Sequence, residues 1–149
     1  MIKEFSLKKD GNTKLSEHFL VKEFACKDGS DKVLIDIELI NKLEIIRNYF
    51  DKPVVITSGY RTESYNQKVS NSKESQHCLG KAVDIRVQGV SPIAVALYCE
   101  FYLMAGIGGV GLYKGQGFTH IDTRDKMTRW VQPSNSASYR TVDKISKNI

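Results

Sequence analysis

Ser75-Gln76-His77-Cys78-Leu79-Gly80-Lys81-Ala82-Val83-Asp84 decides the reading of the chain, together with Phe118-Thr119-His120-Ile121-Asp122-Thr123-Arg124. The chain has 3 histidines, and two of them stand in these segments. From Lys81 to Val87 the residues alternate. Val83, Ile85 and Val87 point one way and Ala82, Asp84 and Arg86 the other, as in a strand with one apolar face. Gly80 suits a tight turn just before it, which lets His77 reach back toward Asp84. In a second strand, Phe118 to Thr123, His120 and Asp122 share a face by the same period of two. If the two strands are neighbours, His77, Asp84 and His120 converge with Asp122 beside them. Two imidazoles and one carboxylate make the ligand set of a catalytic zinc that leaves one position open. The spacing alone is equally compatible with histidines satisfied inside a core.

These two segments carry a wider pattern, Ser-x-His-x-x-Gly-x-Ala-x-Asp followed by Phe-x-His-x-Asp-x-Arg. Leu15 to Phe19, Glu23 to Cys26, Thr57 to Thr62 (Thr-Ser-Gly-Tyr-Arg-Thr) and Gly108 to Tyr113 (Gly-Gly-Val-Gly-Leu-Tyr) accompany it in order. Together they resemble the zinc D-alanyl-D-alanine carboxypeptidases and phage endolysin peptidases, over roughly residues 15 to 130. That group is related to lysostaphin-type peptidases and the hedgehog signalling domain. The resemblance implies one zinc per chain, held by His77, Asp84 and His120. It also implies hydrolysis of an amide bond in a peptidoglycan peptide, by a carboxypeptidase or an endopeptidase.

The same resemblance points to Arg61, the arginine of Ser-Gly-Tyr-Arg. Its planar guanidinium can pair with a substrate carboxylate or steady a tetrahedral oxyanion. Many relatives place an acidic residue three positions before the last histidine ligand, or a histidine two positions before it. Here those positions hold Gly117 and Phe118. Asp122 remains as a general base, or as a residue that only fixes an imidazole. Ser75 is a candidate to hydrogen-bond a ligand, and Tyr113 to line the cleft. Nothing but sequence proximity recommends Glu74 or Asp125. The missing acid also leaves open a module that has kept the fold without turnover, in a phage tail for example.

One hundred and forty-nine residues make one domain large enough for a core. A net charge of +5 suits an anionic partner, but no basic arm or aromatic–basic interleaving points to nucleic acid. Three cysteines without metal or disulfide spacing fit free thiols. Met1 to Lys9 has no apolar core of a signal peptide, and no apolar run reaches membrane-spanning length. The expectation is a monomer made in the cytoplasm that reaches the wall after release, as a phage lysin or a virion component.

The remaining elements place the site. Met1 to Thr13 reads as a loosely tied arm, and the residues from Pro133 to Ile149 as a polar tail. Asp36 caps a helix to about Phe50, with Leu39, Leu43, Ile46 and Phe50 as its apolar stripe. Val54 to Thr57 reads as a buried strand, and Thr62 to Val69 as a short helix. Ser91-Pro92 starts a helix to about Ala105 that turns Ile93, Ala96, Leu97, Phe101 and Met104 inward. Val110 to Tyr113 and Phe118 to Thr123 form a hairpin. The architecture expected is α+β, with helices on one face of a small antiparallel sheet, like the DD-peptidase and hedgehog domains.

Overall fold

Two sheets carry the chain in a computed structural model that describes residues 1–149. The smaller pairs β1 (Ile2–Ser6) antiparallel with β2 (Lys32–Asp36). The larger has six strands, formed by β3 (Val54–Ser58), β4 (Ala82–Val87), β5 (Gly109–Tyr113), β6 (Phe118–Asp122), β7 (Thr128–Gln132) and β8 (Arg140–Val142). Their spatial order is β3-β4-β6-β5-β7-β8. All pairs are antiparallel except β5 with β7, which run parallel, so the sheet is mixed at that one seam. The helices are α1 (Leu7–Asp10), α2 (Ile37–Phe50), α3 (Glu63–Val69) and α4 (Pro92–Tyr98).

The α+β class and the one-faced packing are as the sequence implies. Val83, Ile85, Val110, Leu112, Ile121 and Val131 are buried on the core face, under α2 and α4. Strand alternation sends the intervening residues to the opposite face, which carries the site. α2 starts where Asp36 accepts the Glu38 N–H at 3.1 Å, and it ends where Asp51 adopts φ 51 ahead of Pro53. Its Leu39, Ile40, Leu43 and Ile46 are buried, whereas Phe50 is only half-buried.

Four expectations are corrected. The first residues are not a loose arm, because β1 is hydrogen-bonded along all of β2, although Ile2, Lys3 and Glu4 stay exposed. The terminal segment is not only a polar tail. β8 pairs with β7, and a 3₁₀ turn at Ile145–Lys147 buries Ile145 while the Glu100 carboxylate accepts its N–H. β3 lies at the sheet edge, so Val55 is exposed. Finally, α4 passes into a π-turn at Cys99–Leu103. The wider turn rotates the buried face onto Cys99, Glu100 and Met104 and leaves Phe101 exposed. Away from the site, His18 hydrogen-bonds Glu44 at 2.7 Å and ties the Leu15–Phe19 segment to α2.

Asp36 joins helix to sheet, for its other oxygen accepts the Thr123 hydroxyl at 2.6 Å, just past β6. Burial alone would raise its carboxyl, but the hydrogen bonds, led by Thr123, hold it below the usual range. Its stabilising contribution is therefore full above about pH 4 and fades as pH falls through the lowered value. Asp36→Ala should cost about 1–3 kcal/mol, from the lost helix cap and the stranded hydroxyl. Urea unfolding checks this: the midpoint should fall at unchanged slope near neutral pH, and the difference from wild type should shrink in acid.

Candidate metal centre

β4 and β6 are in a register that sets Asp84 directly opposite His120. Cross-strand neighbours share a face, so both side chains leave the sheet together on the side away from α2 and α4. His77 comes from a different element, the 3₁₀ turn Gln76–Leu79. Ser75 caps that turn, its hydroxyl accepting the His77 N–H at 3.2 Å. Gly80 closes it at φ 74, and a Cβ there would lie 2.6 Å from the Leu34 backbone, so only glycine fits. Arg61 secures the turn as well, its backbone N–H donating to the His77 carbonyl at 3.1 Å.

One ligand atom from each of His77, Asp84 and His120 lies within 4.8 Å of the others. His77 Nε2 is 3.4 Å and His120 Nδ1 3.0 Å from the same oxygen, Asp84 Oδ1. The opposite ring nitrogens are engaged. His77 Nδ1 stands 2.7 Å from the Gly59 carbonyl, which can only accept, so Nδ1 carries the proton. His120 Nε2 stands 2.8 Å from Asp122 Oδ2 and donates to it. In the neutral rings, both remaining lone pairs are aimed at the Asp84 oxygen. Imidazoles fixed from behind by a carbonyl and a carboxylate are the arrangement metal-binding histidines use, and this donor set fits a divalent metal.

Asp122 is wholly buried and saturated. Its Oδ1 accepts the Gly109 N–H at 3.0 Å and Arg124 Nε at 2.8 Å; its Oδ2 accepts His120 Nε2 and the Arg124 NH2 group at 2.7 Å. Alternation does put it on the face of His120, but it lies behind the ring and not in the cleft. Of the two roles that the sequence leaves open for Asp122, these contacts favour the one that fixes an imidazole. Arg61 is also engaged. Its Nε donates to Ser58, NH1 to Asn66 and NH2 to Asp84 Oδ2 at 3.2 Å, so it braces the carboxylate from the side away from the histidines.

The charges are tightly coupled. Burial would raise the Asp84 carboxyl, yet the His77 and His120 rings outweigh it and hold the group far below the ordinary range. Asp122 is likewise held down against burial by His120 and Arg124. Burial would lower His120, but the two flanking carboxylates push it up to about 9. Without metal, His120 is therefore an imidazolium near neutral pH.

A cleft of about 570 Å³ opens over this cluster. Tyr113 lines it, and so does Ser75 beside the His77 turn. Sequence reasoning gave no role to Arg124, Trp130, Asn66 or the Gly59 carbonyl. Arg124 stands two residues past Asp122 in the quoted motif, so its pairing was within reach. Trp130 carried no local signal, because a parallel strand brings it in.

The sequence profile described as Peptidase M15 matches residues 16–122. The peptidoglycan L,D-endopeptidase MepK of Escherichia coli K12 is 36% identical over 77 residues, covering 48% of this chain and 41% of that protein. MepK of Shigella flexneri gives the same figures. The probable MepK of Haemophilus influenzae is 37% identical over 75 residues, covering 47% of this chain and 39% of its own. The matched segments thus span about two-fifths of those relatives.

Because His120 titrates at about 9 without metal, binding a cation at neutral pH must expel its proton. Zinc titration by calorimetry at pH 7 in buffers of different ionisation heat should show a net proton release. The metal-free fold should lose stability as pH rises from about 6.5 through 9, while zinc affinity increases over the same range. Asp122→Asn should weaken zinc binding by about 10–100-fold with the fold retained. An unchanged affinity would mean that the ring needs no support from behind.

Proposed function

The chain belongs to the peptidase M15 family, and on that premise we propose that it is a zinc peptidase acting on the stem peptides of peptidoglycan. Zinc on His77, Asp84 and His120 would supply Lewis-acid activation of water and of the scissile carbonyl. The protein's own groups do the rest. Gly59 and Asp122 hold the two imidazoles from behind and aim their ligand nitrogens at Asp84. Arg61 braces Asp84 and retains N–H groups beyond its three bonds, which serve a substrate carboxylate or the developing oxyanion.

The observation that carries the substrate class is the charge of the cleft. Lys27, Arg61, Arg86 and Arg124 line it, against only Glu74 and Asp84. Asp84 is already committed to the ligand cluster and Arg61. The remaining surplus is cationic and suits a peptide with free carboxylates, as stem peptides have. The name of the MepK relatives, peptidoglycan L,D-endopeptidase, supports the same class. A D-alanine carboxypeptidase remains the sister activity, since a cationic cleft serves a terminal carboxylate equally. A lysin or virion component is the setting proposed for it.

A second reading, a binding module of the same fold without turnover, draws on one observation. With Asp122 buried, Glu74 is the one cleft carboxylate outside the ligand cluster, and Gly117 stands where many relatives place an acid.

Incubating zinc-loaded protein with purified peptidoglycan, and identifying released fragments by mass spectrometry, separates the two readings. New peptide termini are expected, and their identity names the bond. Intact peptidoglycan in the presence of a protein that demonstrably holds zinc would favour the binding module. Arg61→Lys should keep the fold and metal yet lower turnover about tenfold or more, since an ammonium cannot make three diverging planar contacts.

A further inference from the structure

β5 carries a residue pattern that the metal cluster does not explain. Gly109, Gly111 and Tyr113 face the cleft, with Gly111 opposite His120 and Tyr113 opposite Phe118. On the other side of β5, Gly111 pairs with Trp130 of the parallel strand β7. A Cβ at position 111 would lie 2.3 Å from the indole. Trp130 therefore lies over the strand itself and comes within 4.8 Å of the His120 ring, centroid to centroid. Its Nε1 stands 3.0 Å from the Tyr113 hydroxyl.

The direction of that last bond matters. Indole nitrogen can only donate, so the phenol oxygen must accept. The Tyr113 hydroxyl hydrogen is then excluded from this contact, and it makes no other hydrogen bond within the chain. The ring is fixed as well, stacked on Phe118 at 4.3 Å. Tyr113 is thus a rigid phenol at the cleft wall, beside the His120 side of the cluster, with one donor to give.

We propose that Tyr113 donates its hydroxyl hydrogen to the oxygen of the reacting carbonyl as it becomes tetrahedral, and that Trp130 is the positioning residue that fixes this direction. The inference rests on the peptidase reading above. Burial, reinforced by Asp84, pushes the phenol up to about 12, so it stays protonated wherever a peptidase works. A preorganised donor aimed at developing charge contributes about 10²–10³-fold to turnover.

Tyr113→Phe keeps the stacked ring and removes only the donor. On a purified stem peptide it should lower kcat about 100-fold with KM nearly unchanged. Affinity for a phosphinate analogue of the same peptide, which mimics the tetrahedral geometry, should fall by a similar factor, while affinity for the planar peptide stays. The second variant exploits the chain's 1 tryptophan. Growth of a tryptophan auxotroph on β-(3-benzothienyl)alanine replaces only Trp130 and exchanges its N–H for sulfur at nearly constant shape. The freed phenol should lower kcat about tenfold, again with KM held, about the factor expected for one misdirected hydrogen bond. Wild-type kcat and phosphinate affinity in Tyr113→Phe would overturn the inference, as would a raised KM with kcat intact. Wild-type kcat in the benzothienyl protein would remove Trp130 from it. If the unaltered, zinc-loaded protein cleaves no stem peptide, the peptidase reading itself fails and takes this inference with it. If it cleaves and Tyr113→Phe matches it, only this inference fails.

Discussion

The register between β4 and β6 is the constraint on which the rest depends. It sets Asp84 opposite His120. The side-chain period of a strand is two, so a slip of one residue would send Asp84 into the core and lift Val83 into the cleft. The apolar face forbids that slip, because Val83, Ile85 and Ile121 are all buried against α2 and α4. Hydrophobic packing on one side of the sheet thus fixes polar geometry on the other. The core is what aims the ligands.

Each buried polar group of the site is then answered by another. Asp84 meets His77, His120 and Arg61; Asp122 meets His120, Gly109 and Arg124. No buried side-chain nitrogen or oxygen is left without a hydrogen-bond partner. Unpaired, such groups would be strongly destabilising at this depth. Paired, they form a network whose members restrict one another, with His120 held from both sides by carboxylates. The same logic reaches outward. Buried Arg129 donates to the carbonyls of Met104 and Gly108 and so ties down the turn that delivers Gly109 to Asp122.

Much of this was legible in the sequence, for definite reasons. Alternation through Ala82–Val87 and Phe118–Asp122 put Asp84, His120 and Asp122 on one face, and a short turn ending in Gly80 accounted for His77. α2 was legible because its cap and stripe are local signals. What escaped depended on distant partners. The run Ile2–Ser6 has no period of two and reads as a strand only with Lys32–Asp36 beside it. The parallel pairing of β5 with β7 has no local mark, and with it went the role of Trp130. A π-turn shifts the inward face after α4, which a regular helical period cannot foresee. Alternation put Asp122 on the face of His120 but left its role open, because nothing local shows that Gly109 and Arg124 take up its oxygens.

His77, Asp84 and His120 are proposed to share one metal, through Nε2, a carboxylate oxygen and Nδ1. A crystal of the zinc-loaded protein, with anomalous differences recorded at the zinc edge, tests it most directly. A single strong peak is expected about 2.0–2.2 Å from His77 Nε2, an Asp84 carboxylate oxygen and His120 Nδ1. His120 Nε2 should still rest on Asp122. A peak bound instead through His120 Nε2 with Asp122 as a ligand, or no peak in this cleft, would contradict it.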